Sequence, residues 1–175
     1  MSTLKIPVGD QDHIQGDPDA ACTLVEYGDY QCPHCGHAHP VVKRLLEHFG
    51  KRLRFVYRNF PLTRIHPQAE AAAQTAEFAG AHGLFWEMHD LIFENQERLS
   101  DSLFAELAGE LGLDPAELQK ALENSTYETR VHTDFTGGVR SGVNGTPTFF
   151  ITGERYDDVK DYPSLARTIE KALDA

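Results

Sequence analysis

The chain has 175 residues and a formal net charge of −11, from 27 acidic and 16 basic side chains, with 41% hydrophobic residues. That length suffices for one domain with a substantial core, and the acidic balance argues against nucleic acid or an anionic membrane face as a partner. Three cysteines are too few for a disulfide-stapled scaffold, and no apolar run approaches the ~20 residues needed to span a bilayer.

The first twenty residues, "MSTLKIPVGDQDHIQGDPDA", carry no apolar core of signal-peptide length. The chain as written is therefore expected in the cytoplasm, or in the periplasm or outside the cell if a leader was trimmed. "CTLVEYGD", Cys22 to Asp29, is β-branched and aromatic and bounded by "GDPDA", which predicts a buried strand. From Pro33 to Phe49, Val41, Val42, Leu45, Leu46 and Phe49 form one helical stripe that Gly50 stops, and Pro40 is expected to kink the helix or end its first turn. "RLRFVYRNF", Arg52 to Phe60, predicts a second strand with alternating side chains. Strand, helix and strand at this spacing make a parallel βαβ unit with a right-handed crossover.

About residues 61–142 read as a mainly helical block inside a single domain spanning 1–175. Leu84, Met88, Leu91 and Ile92 repeat at helical spacing, Ser100 or Ser102 can cap one helix, and Asp114-Pro115 with Glu117 starts another. Val131, Phe135 and Val139 predict an apolar face on the helix that closes the block. "GTPTFFITGERYDD" then predicts a hairpin turning at Gly153, and Leu165, Ile169 and Leu173 lie on one face of a last helix entered near Pro163. The fold class expected is α/β, ordered β-α-β, helical block, β-β-α.

The chemistry concentrates in "DYQCPHCGHAHP", residues 29–40. Cys32 and Cys35, three residues apart at a strand-to-helix junction, put both sulfurs on one side of the first turn. The unpaired N–H groups and positive dipole end of that turn favour a Cys32 thiolate. His34, when protonated, adds positive charge, and Pro33 suits the first helical position. Cys35, one turn in, is expected to be more buried, with the higher pKa of a resolving thiol. Glu26 shares a strand face with Leu24 and Gly28, and an acid in so apolar a strand needs either a partner, with Arg54 or Arg58 to hand, or a task such as taking the Cys35 proton. Cys22 is expected to pack as a small hydrophobe, and His37 and His39 to lie at the surface beside the site.

"CPHC" after an apolar strand, Pro40 five residues beyond the second cysteine, and "GTPT" before a final hairpin and helix resemble the thioredoxin superfamily. The long helical insertion makes the chain similar to DsbA-type disulfide oxidoreductases, from about Asp17 to Leu173. The resemblance implies a thioredoxin fold, a depressed Cys32 pKa, a cis bond between Thr146 and Pro147, and a Thr146 backbone that pairs with extended substrate beside Cys32. It also implies that Cys32 and Cys35 exchange disulfides with protein or small-molecule substrates and with a redox partner, with no metal or organic cofactor, in a monomer. Two departures stand out: periplasmic members carry a secretion signal, and Phe55, counted back from "NF", takes the place where many carry a lysine opposite the buried acid.

Three rival readings remain. Cys32, Cys35 and His39, at i, i+3 and i+7, offer donors for structural zinc. A non-redox peptide-binding module could keep the same fold. A glutathione-dependent isomerase or transferase-like branch shares the architecture, although those relatives typically carry serine or a lone cysteine at the active position.

Overall fold

In the computed structural model, which describes residues 2–175, a short strand β1 (His13–Gly16) precedes β2 (Cys22–Gly28), α1 (Pro33–Phe49) and β3 (Leu53–Asn59). Five helices follow: α2 (Ala69–Gly80), α3 (Phe85–Glu94), α4 (Asp101–Glu110), α5 (Pro115–Glu123) and α6 (Glu128–Arg140). The chain ends with β4 (Thr148–Ile151), β5 (Glu154–Tyr156) and α7 (Tyr162–Asp174). The sheet order is β1-β3-β2-β4-β5. β2 and β3 run parallel, with α1 as their crossover, and the outer strands pair antiparallel to their neighbours.

Burial of the central strands explains the α/β layering. β2 and β3 are each buried at every position but one, so β3 is covered on both faces rather than alternating between core and solvent as expected. One face holds Leu24, Phe55, Tyr57, Phe149 and Ile151 under α1, α3 and α7. The other holds Val25, Tyr27, Val56 and Phe150. Central strands flanked by helices on both faces must read as nearly continuous apolar runs, which is how "LVEYG" and "FVY" read.

Several local expectations are realised by specific contacts. Ser100, not Ser102, caps α4 by accepting from the Leu103 N–H, and Asp114 caps α5 ahead of Pro115. Asp161 caps α7, whose Leu165 and Ile169 are buried while Leu173 is only partly so. The β4–β5 hairpin turns through Thr152 and Gly153, both at positive φ, the conformation a two-residue hairpin loop requires.

Two expectations are corrected, and one strand appears that the sequence did not suggest. Pro40 does not end α1, which continues from Pro33 to Phe49 with the proline inside it. β1 carries no apolar alternation, and its strand form comes from pairing with β3, His13 opposite Tyr57 through Gly16 opposite Arg54. Val139 is 53% exposed; α6 instead turns Val131, Asp134, Gly137 and Gly138 inward. The two glycines are the reason. A Cβ on Gly138 would come within 2.8 Å of the Phe60 ring and 3.0 Å of Tyr27, so the helix approaches the sheet closely through its glycines, with Phe135 stacked on Phe60 beside them. No helix among the described residues is long and apolar enough to cross a membrane.

Candidate active site

The dithiol sits where β2 ends and α1 begins. Cys32 is the N-cap of α1, in extended conformation, with Pro33 opening the helix, which leaves the first backbone N–H groups of the turn without helical partners. Those of Cys35 and His34 act on the Cys32 sulfur, favouring its thiolate. Cys32 is 4% exposed, Cys35 is fully buried, and all three cysteines are unpaired thiols.

The two thiols titrate in opposite directions. A hydrogen bond from the Cys35 thiol is the largest influence holding Cys32 down to a pKa of about 5, assisted by Thr146 and by the backbone N–H groups of Cys35 and His34, against a raising effect of burial. Burial pushes Cys35 well above the ordinary thiol value. At neutral pH the pair therefore holds one thiolate and one thiol. The imidazole of His34 is exposed, and the influence of His34 on the Cys32 thiolate comes through its backbone N–H.

Glu26 is 2% exposed and its Oε1 has no hydrogen-bond partner. Burial first, and the charge on Cys32 second, raise its pKa to about 8. Neither expected cation reaches it. Arg54 donates to the Thr23 hydroxyl and the Pro18 carbonyl. Arg58 lies on the other face, bonded to Asp12, the Tyr27 hydroxyl and the Ile6 and Pro7 carbonyls. The residue opposite Glu26 is Tyr57, not Phe55, which pairs with Leu24; counting back from "NF" placed the register two residues early. The Tyr57 hydroxyl is buried and also without a partner.

Across the dithiol, the Thr146–Pro147 bond is cis, and the Cys32 thiol donates to the Thr146 carbonyl at 3.6 Å. The Thr146 hydroxyl has no partner in this thiol arrangement. A groove of about 360 Å³ opens beside these residues, lined by His34, His37, Ala38, Thr146, Pro147 and Lys160. Cys22 lies apart from the site, buried, accepting from the Thr152 hydroxyl at 3.5 Å, with burial raising its pKa.

Two residues that the sequence did not single out organise the loop. Asp29, 1% exposed, accepts from the Gln31 and Cys32 N–H groups through Oδ1, and through Oδ2 from the Leu62 N–H and His66 Nδ1, the last at 2.7 Å. Gln96, just after α3, donates from Nε2 to the carbonyl oxygens of Tyr30 and Cys32. Asp29 could have been suspected, since a short acid just before a helix is a recognisable capping signal. Nothing local marks Gln96, whose partners are more than sixty residues away.

The zinc arrangement of Cys32, Cys35 and His39 is not assembled. The His39 ring packs on Phe93 and meets His89, with centroids 5.0 and 5.4 Å apart. His39 is thus an internal residue between α1 and α3 rather than the surface group expected, while His37 is exposed beside the groove.

The sequence profile of the thioredoxin family matches residues 9–171. Among solved structures, oxidised BdbD from Bacillus subtilis superposes with a TM-score of 0.86 at 25% identity, covering 94% of each chain. A thioredoxin-like oxidoreductase from Silicibacter pomeroyi gives 0.82 at 25% identity, over 94% of this chain and 93% of that one. α-DsbA1 from Wolbachia pipientis shares the fold at 0.80, with 20% identity over 98% and 94%. Curated relatives include proteins named Na⁺/H⁺ antiporter NhaA 1 from Salinispora arenicola, 41% identical over 97% of this chain, and NhaA from Herminiimonas arsenicoxydans, 39% identical over 98%. The chain spans only 26% and 27% of those two proteins. With the fold, the profile and the dithiol at the head of α1 in agreement, this chain belongs to the thioredoxin family, and its fold is the one seen in DsbA-like structures.

Proposed function

We propose that the chain acts as a dithiol oxidant, passing the Cys32–Cys35 disulfide to thiols of extended protein substrates. The observation that carries this reading is the stabilised Cys32 thiolate, with a pKa of about 5. Whatever stabilises the thiolate stabilises the reduced pair, and so makes the disulfide form the stronger electron acceptor.

In the forward direction a substrate thiolate attacks Cys32 Sγ of the disulfide. A mixed disulfide forms and Cys35 leaves as a thiolate. Glu26, protonated at neutral pH by virtue of its raised pKa, supplies the proton that the buried Cys35 sulfur requires. A second substrate thiolate then attacks the substrate sulfur of the mixed disulfide, and Cys32 departs as the better leaving group. Two electrons pass from two substrate thiols to the protein, which ends as Cys32 thiolate and Cys35 thiol. In reverse, Glu26 is the base that takes the Cys35 proton and Cys35 resolves the mixed disulfide. Thr146 and Pro147 line the groove where substrate lies, with Pro33 beside it at the head of α1 and the Thr146 carbonyl available to an extended peptide.

A strong oxidant works where thiols are not kept reduced, so this reading favours an oxidising compartment over the cytoplasm expected from the N-terminal residues. The antiport named for the curated relatives is not assigned to this chain.

The test is the reduction potential, measured by equilibration against glutathione. A value near that of DsbA, about −120 mV, is expected, whereas one near thioredoxin's, about −270 mV, overturns the oxidant direction. Cys35→Ser should accumulate mixed disulfides through Cys32, and Cys32→Ser should exchange none. Exchange of a model disulfide by Cys32→Ser would refute the mechanism itself.

A further inference from the structure

We propose that His39, His89 and Asp90 form a binding site for a divalent transition-metal ion of the zinc or copper kind, at the seam between α1 and α3. One ligand atom from each residue lies within 4.8 Å of the other two. The site is distinct from the dithiol, although α1 carries both.

His39 provides the strongest argument. Its side chain is only 10% exposed, yet Nε2 is buried without a hydrogen-bond partner. The nearest charged group, Asp90 Oδ1, is 3.5 Å away, too far for a good bond. A buried ring nitrogen left this way is costly, and a metal ion removes that cost. His89 engages Nδ1 with the Tyr30 hydroxyl at 2.8 Å, which leaves Nε2 as its ligand atom. A metal-bound histidine characteristically gives its other nitrogen to an outer partner in this way. In the loaded state His89 Nδ1 carries the proton and donates to the Tyr30 oxygen.

Two imidazoles and one carboxylate suit zinc, copper or nickel better than magnesium or calcium. Metal–ligand bonds of about 2.0–2.1 Å set tetrahedral ligand atoms about 3.4 Å apart; His39 Nε2 and Asp90 Oδ1 already stand at 3.5 Å, and the remaining separations, within 4.8 Å, close toward that spacing when an ion binds. Asp90 is the member free to move, with its side chain 27% exposed. It is held by Lys43 Nζ at 3.2 Å, and Lys43 has Glu94 Oε1 as a second partner 3.8 Å away. Binding would pass Lys43 to Glu94 and leave a fourth coordination position to water, with Asp90 at the entrance.

The test uses the full-length Cys32→Ser/Cys35→Ser protein, so that the active-site thiols cannot compete, stripped with chelator and titrated with Zn²⁺ by calorimetry and thermal unfolding. One ion per chain and a raised Tm are expected, with affinity at least tenfold weaker in His39→Gln and in Asp90→Asn. Asp90→Asn alters a partly exposed side chain and keeps the test sound should His39→Gln fail to fold. Co²⁺ should give tetrahedral visible bands without thiolate charge transfer. No saturable Zn²⁺ binding, binding that survives either folded substitution unchanged, or thiolate charge transfer with Co²⁺ overturns the proposal.

Discussion

Gln96 Nε2 donates to the carbonyl oxygen of Cys32 at 2.8 Å and to that of Tyr30 at 2.9 Å, so a side chain from the helical insertion holds the backbone that presents the nucleophile. Gly36 makes room for it, since a Cβ there would collide with the Gln96 amide. Gln96→Ala leaves two carbonyls short of a donor and should destabilise the protein by about 1–3 kcal/mol in denaturant unfolding. Gln96→Glu, which places a carboxylate against the same oxygens, should cost more than Gln96→Ala. Equal losses would show that packing, not the hydrogen bonds, is what matters there.

Cys32 should alkylate with a rate that rises through a midpoint near its pKa of about 5. Because the Cys35 thiol is the largest cause of that value, Cys35→Ala should move the midpoint upward. The sign for stability follows from the depressed folded value. The thiolate's contribution is fully present above the unfolded thiol pKa, near 9, and fades as pH falls toward about 5. The reduced protein should therefore gain stability relative to the oxidised one as pH rises through that window, measurable by unfolding both forms across it.

Glu26 works in the opposite sense. Its folded pKa of about 8 stands above the ordinary 4.5, so its contribution is fully present below about 4.5 and is lost as pH rises through 8. Glu26→Gln removes that titration. The stability of Glu26→Gln relative to the reduced parent should grow by roughly 2–4 kcal/mol between about pH 5 and about pH 9. The same variant should slow resolution of mixed disulfides in single-turnover experiments, where a merely structural carboxyl would leave the rate alone.

Asp29 ties three segments together: the end of β2, the cap of α1 and the loop carrying Leu62 and His66. Asp29→Asn keeps an acceptor for the Gln31 and Cys32 N–H groups but turns an amide donor toward the Leu62 N–H. A loss of about 2–4 kcal/mol is expected by denaturant unfolding, with a further loss in Asp29→Ala. A neutral Asp29→Asn would show that the loop finds its order elsewhere.

The sequence carried the parts of this molecule that local chemistry decides. The βαβ unit, the caps at Asp114 and Ser100, and the dithiol at a helix start were legible because each depends on neighbours a few positions away. Pairing register and cross-chain contacts were not. Tyr57 opposite Glu26, 31 residues further on, depends on how two strands separated by a helix happen to align, and a slip of two residues preserves every alternation pattern. On α6 the spacing placed Val131 and Phe135 inward but misplaced Val139 for a different reason: Gly137 and Gly138 permit close approach, which a reading based on apolar spacing cannot weigh. Gln96 and the burial of His39 follow from the docking of α3 on α1, a contact with no local signature.

The edge of the sheet beyond β5 is occupied by the chain's own beginning. Thr3 bridges Glu154, the Leu4 N–H reaches the Gly153 carbonyl, and the Arg155 N–H reaches that of Ser2. At the opposite border β1 has only four residues. The β5 flank is thus already paired, and the β1 flank is short, two features that leave little bare ladder for strand addition by a second molecule. Displacing residues 2–4 would uncover backbone groups along β5 and create a template for such growth, turning a few N-terminal residues into a guard against aggregation.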